Sequence, residues 1–111
     1  MPTLMPRDDN LFPIPALRLR QDGAHVIAVG AVSAANARAF SPSTRVIGIY
    51  ATGPVFLRTG GETVTASTSD HYFPANTYYD LALGDGLQER HTRIAALRAA
   101  GDCTLYISEK E

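Results

Sequence analysis

Apolar and polar residues alternate with a period of two along much of this chain, and that period predicts β-strands. Over 45–51, Ile47, Ile49 and Ala51 share one face while Val46, Gly48 and Tyr50 share the other. Over 77–83, Tyr79, Leu81 and Leu83 fall together, and Tyr78 points away from Tyr79. Further strands are predicted over 24–29, rich in β-branched residues, and over 55–58, 63–67 and 104–108. Gln21-Asp-Gly23, Thr52-Gly-Pro54 and Gly84-Asp-Gly86 read as turns between them, and 67–71 as a polar loop. Thr59-Gly-Gly-Glu62 predicts a hairpin loop, with 63–67 returning beside 55–58, because Gly supplies positive φ. Residues 31–39 carry mixed signals and are assigned as a strand or an irregular crossing.

One stretch sets local preference against context. Residues 87–100 hold Leu, Glu, Arg and Ala in helix-favouring density, with Asp85 or Gly86 before them and Gly101 after as potential caps. Strands surround the stretch, and on that ground 91–99 is assigned as strand, pairing with 104–108 across Gly101-Asp102.

The first residues carry a different pattern. Pro2, Pro6, Pro13 and Pro15 fix φ near −65° and cannot donate to a ladder, so 1–17 are expected to be extended. Leu11, Phe12 and Ile14 sit in that segment, and apolar side chains on extended backbone point to docking on this domain or a neighbour. The expected organisation is an arm over 1–20 followed by one β-domain over 21–111.

Composition narrows the function classes. The 111 residues suffice for one modest core. A net charge of −1, with no basic cluster beyond Arg18 and Arg20, gives no reason to expect a nucleic-acid partner. No stretch approaches the roughly 20 apolar residues that span a bilayer, so no membrane partner is expected. Arg7, Asp8 and Asp9 stand where a signal peptide would place its apolar core. Cys103 is the single cysteine, which excludes an intrachain disulfide and leaves a small buried thiol as its role.

No residue set carries a catalytic claim. His25, His71 and His91 lie in separate segments without metal-ligand spacing; Asp70-His71 is the best single candidate, and a solvated loop tip explains it. No serine sits in a nucleophile elbow, and the Gly-rich turns lack phosphate-loop spacing. The expectation is therefore a non-enzyme with no catalytic residue, metal or cofactor. Tyr72, Phe73, Tyr78 and Tyr79 form the densest aromatic cluster and are the candidates for an interface or for stacking on a ligand.

Several motifs in series resemble small β-sandwich structural proteins of tailed bacteriophages and prophages. They are Arg45-Val-Ile-Gly-Ile-Tyr-Ala51, Val55-Phe-Leu-Arg-Thr-Gly60, Thr63-Val-Thr-Ala-Ser67, Asp70-His-Tyr-Phe-Pro-Ala75, Arg93-Ile-Ala-Ala-Leu97 and Gly101-Asp-Cys-Thr-Leu-Tyr-Ile-Ser-Glu109. The likeness lies in their order over 44–109, and the arm falls outside it. It implies an all-β, small antiparallel β-sandwich of jelly-roll-like character. It implies a capsid decoration (cement) or head/tail accessory protein, assembled in the host cytoplasm and resident in the virion. Partners would be further copies of the chain and other virion proteins such as the major capsid or tail proteins. Leu11, Phe12 and Ile14 would then dock on neighbouring subunits. Two other readings stand beside it: a glycan- or receptor-binding module using the aromatic cluster, and a small cupin-like metal enzyme using Asp70, His71 and His91.

Overall fold

Eight strands follow the alternating pattern in the computed structural model, which describes residues 17–84 and 89–111. They are β1 (Leu19–Val29), β2 (Ala34–Ala35), β3 (Val46–Ala51), β4 (Val55–Gly60), β5 (His71–Phe73), β6 (Tyr78–Ala82), β7 (Arg93–Arg98) and β8 (Cys103–Lys110). They form two four-stranded antiparallel sheets, ordered β1-β8-β3-β6 and β2-β7-β4-β5. Every connection except β4–β5 passes from one sheet to the other. No helix is present among the described residues. Leu11, Phe12 and Ile14 lie outside them, as do Asp85 and Gly86 of the expected turn.

The core forms where the inward faces meet. Ile27 and Val29 of β1, Ile47 and Ile49 of β3, Val55 and Leu57 of β4, Ile94 and Ala96 of β7, and Leu105 and Ile107 of β8 are all buried there. Burial on this scale, at ~25 cal/mol per Å² of apolar area, is the main drive to the layered arrangement. It also settles the conflict over 91–99. Ile94, Ala95 and Ala96 are fully buried in a strand flanked on both sides, and helix preferences of at most ~0.7 kcal/mol per residue do not compete with that.

Three local expectations are corrected. Residues 91–99 do not pair with the last strand: β7 pairs with β2 and β4, while β8 pairs with β1 and β3. The 99–102 link is an arch between layers, held where Arg98 N–H donates to Gly30 O (3.1 Å) and Ala99 N–H to Pro54 O (3.0 Å). Residues 63–67 are not a return strand. They belong to a loop that travels from β4 to the far edge of the same sheet, where Ala66 N–H donates to Ser33 Oγ (2.8 Å), and β4 takes β5 and β7 as partners instead. Gln21-Asp-Gly23 does not end a strand. It is a bulge within β1, where the register shifts between Leu19 and Ala24 and Asp22 takes φ 62°. Arg38 Nη2 holds the bulge by donating to Asp22 O (2.8 Å) and Ala24 O (3.1 Å).

A buried carboxylate lies beneath that bulge. Glu109 continues the inward series of Leu105 and Ile107 and is 1% exposed. Its Oε1 accepts from Thr44 Oγ1 (2.6 Å) and Ser41 N–H (2.7 Å), and its Oε2 accepts from His25 Nε2 (2.8 Å). Gly23 is required above it, since a Cβ there would come within 2.8 Å of Glu109 Cβ. Phe40 meets the His25 ring edge-on at 5.0 Å. Arg90 reaches the same corner, donating from Nε to Thr44 O (2.7 Å) and from Nη2 to Ser41 O. The node thus joins β1, β8, the 41–44 turn and the approach to β7.

Burial pushes the Glu109 carboxyl upward, but the bonds from Thr44, His25 and Ser41 N–H outweigh it and hold the group below the usual carboxylate range. A depressed folded value means that ionised Glu109 contributes stability in full above the unfolded value, about 4.3, and that this is lost as pH falls through the folded value. Thermal melts should therefore show an acid-side loss in the native chain that is absent from Glu109→Gln. Glu109→Ala, which strands three donors, should cost ~3 kcal/mol. Matching acid limbs in native and Gln proteins would contradict this.

Candidate docking face

The outward residues of the β1-β8-β3-β6 sheet come from the polar half of the alternation, yet one row of them is not polar. The register places Val26 opposite Tyr106, Tyr106 opposite Tyr50, and Tyr50 opposite Tyr78. A single row therefore crosses all four strands, with Val26 64%, Tyr106 49%, Tyr50 36% and Tyr78 51% exposed. Aromatic side chains offer ~150–250 Å² each, so the row exposes on the order of 350 Å². A patch of that size falls within the ~300–600 Å² of a typical monomer's largest apolar patch, which is often functional.

The row is held in place by its neighbours. Tyr50 Oη donates to Asn76 Oδ1 (3.1 Å), in a turn where Asn76 itself takes φ 59°. Tyr78 lies over Gly48, where any Cβ would run into its hydroxyl. Lys110 Nζ stands 4.8 Å from the Tyr78 ring centroid and donates to Asp80 Oδ1 (2.8 Å). The Asp80 bond, then that to Tyr78, raises the Lys110 ammonium above its ordinary value, so both contacts favour the cation that stands over the ring. The opposite outer face differs: the 61–70 loop extends across that sheet to Ser33, and Ala66 within it is buried.

The four aromatic residues singled out in the sequence do not share one surface. Tyr78 belongs to the exposed row. Tyr72 is exposed on the other sheet, edge-on to Phe56 at 5.8 Å. Phe73 and Tyr79 turn inward and meet edge-on at 5.0 Å between the sheets, packed against the core. Val26, Tyr50 and Tyr106 were not candidates in the sequence; alternation put them outward, but only the strand order puts them side by side.

Asp70, His71 and His91 all line a cleft of about 530 Å³ between β4, β5 and β6, with Arg58, Thr59 and Leu81, but they are not clustered within it. His71 begins a strand rather than sitting in a loop tip. His91 Nδ1 is 2.7 Å from Thr59 Oγ1, and the Asp70 carboxylate accepts from Ser67 N–H (2.7 Å), closing its own loop. Among the described residues, no three His, Cys, Asp or Glu side chains are grouped to hold a metal ion. His25 is committed to Glu109. Cys103 is partly buried; burial, opposed by a hydrogen bond from Gly53 and reinforced by Asp102, pushes its thiol up and away from nucleophilic use.

Comparison with known proteins finds no family model, no curated relative and no solved structure that matches this chain.

Because Tyr106 and Ile107 are adjacent but face opposite ways, they separate the outer face from the core. In urea titrations Tyr106→Ala should cost less than ~1 kcal/mol, whereas Ile107→Ala should cost ~2–5 kcal/mol. A Tyr106→Ala cost equal to that of Ile107→Ala would make the row a structural element.

Proposed function

We propose that this chain is a virion structural protein of a tailed bacteriophage or prophage, a capsid decoration or head/tail accessory component that works by symmetric self-assembly. Its body is a jelly roll, and its Pro-rich arm docks on neighbouring subunits, which are further copies and other virion proteins such as the major capsid or tail proteins. The observation that carries this reading is the exposed Val26–Tyr106–Tyr50–Tyr78 row, an apolar-aromatic stripe rimmed by Lys110 and Asp80. Tyrosine at the centre and charge at the rim is the composition of a protein–protein contact.

The strand order supports the jelly-roll reading, because β1-β8-β3-β6 facing β2-β7-β4-β5 is what two Greek keys rolled together produce. Capsid proteins, lectins and cupins all use that architecture, so the fold alone does not choose among them. The serial motifs over 44–109 favour the virion. A two-layer body tied at its node suits a part that must hold its shape while contacts form around it.

Two measurements test this. Light scattering on the full chain should give a discrete oligomer that Tyr106→Arg dissociates, and mass spectrometry of density-purified particles from the strain carrying the gene should find the chain in fixed ratio to the major capsid protein. A monomer absent from particles would overturn the reading; saccharide binding by that monomer, lost in Tyr106→Ala, would replace it with the glycan-binding one.

A further inference from the structure

We propose that the tyrosine row is the seat for residues Leu11–Pro15 of a second copy of this chain, so that each copy is strapped to the next by its arm. This rests on the assembly reading above and adds the acceptor surface and the occupant.

Chemistry matches the two. Leu11-Phe-Pro-Ile-Pro15 is an uncharged segment in which proline alternates with bulky apolar residues. Extended proline-containing segments bind aromatic-lined surfaces because their backbone is ordered before binding and offers unpaired carbonyls to tyrosine hydroxyls. Size matches as well. Four strands spaced ~4.8 Å apart make the row ~14 Å long, and five residues of polyproline II at ~3.1 Å each span ~12 Å from first to last. A flat dimer of two such faces fits less well, since a stable interface buries ~800 Å² per partner against the ~350 Å² of the row.

Reach selects the second copy over the chain's own arm. Arg18 exchanges both backbone hydrogen bonds with Glu111 (2.9 Å each), so Leu17 stands one position beyond the level of Glu111. From there to the level of Tyr106 is ~20 Å at ~3.4 Å per strand residue. Pro15 is two residues from Leu17 and Ile14 three, which limits them to ~7 and ~11 Å even when fully extended. Leu11–Pro15 as a whole therefore cannot lie along its own row. On a neighbour, the segment meets the row where that copy's outer face lies within ~7–20 Å of Leu17.

The experiment uses the full-length chain with Cys103→Ser, Phe12→Cys and Tyr106→Cys, oxidised gently and run on a non-reducing gel beside light scattering; a control carries Thr65→Cys, on the opposite sheet's loop, in place of Tyr106→Cys. Circular dichroism melts confirm that both variants fold. The proposal expects a ladder of disulfide-linked multimers at least about tenfold stronger than the control, because docking raises the local thiol concentration from micromolar to millimolar. Assembly with no ladder above the control, or with only disulfide-closed single chains, overturns the seat while leaving the assembly reading intact. A monomer without cross-links overturns both. Phe12→Ala in the native chain gives a second readout: weaker assembly at unchanged melting temperature is expected, and unchanged assembly counts against the seat.

Discussion

Glu109 is a charge placed where only apolar groups would otherwise fit, and the end of the sandwich around it is organised to tolerate that. An isolated buried carboxylate would lose several kcal/mol of hydration. Here the loss is met by three donors from different parts of the chain: His25 on β1, the Thr44 hydroxyl and the Ser41 amide. Those donors are available only if β1 carries its bulge, Gly23 leaves space above the carboxylate, and the 41–44 turn closes, with Arg90 holding that turn's carbonyls. One side chain therefore makes the position of β1, of β8 and of the approach to β7 interdependent. The apolar core supplies most of the stability; the carboxylate supplies the requirement that these elements meet in one register.

That register has a consequence on the other side of the sheet. With β8 fixed between β1 and β3, its inward residues Leu105, Ile107 and Glu109 are buried, and its outward residue Tyr106 stands between Val26 and Tyr50. A slip of one residue would turn Tyr106 into the core and Ile107 into solvent. The row is thus a product of the same pairing that closes the core. Tyr50 is tied to Asn76, and Tyr78 lies over Gly48 beneath Lys110, so two of its three tyrosines are already ordered.

Much of this was legible in the alternation. The opposite facing of Tyr78 and Tyr79 and the shared face of Ile47, Ile49 and Ala51 follow from period two, while the strand over Arg93–Arg98 follows from the strands around it, against its local helix preference. Pairing was not legible. Gly60-Gly61 resembles a hairpin turn, and Gly101-Asp102 resembles another, but local turn chemistry cannot distinguish a return within a sheet from an arch between sheets. Consequently the row was hidden: Val26, Tyr50, Tyr78 and Tyr106 lie far apart in the chain and become neighbours only through strand order. The Glu109–His25 pair left a fainter trace. Glu109 shares parity with Leu105 and Ile107, and His25 with Ile27 and Val29, which places two polar groups on inward faces and calls for them to be partnered.

The outer face of the β1-β8-β3-β6 sheet must be covered in the working state if the row is a contact surface. A reconstruction of the assembled protein by electron cryomicroscopy tests that most directly, because side-chain density at Tyr106 and Tyr50 reports whether another chain lies over them. The expected result is extended backbone of a second chain crossing the row, with both tyrosines buried beneath it. An assembly in which contacts form elsewhere and the row remains open to solvent would contradict it.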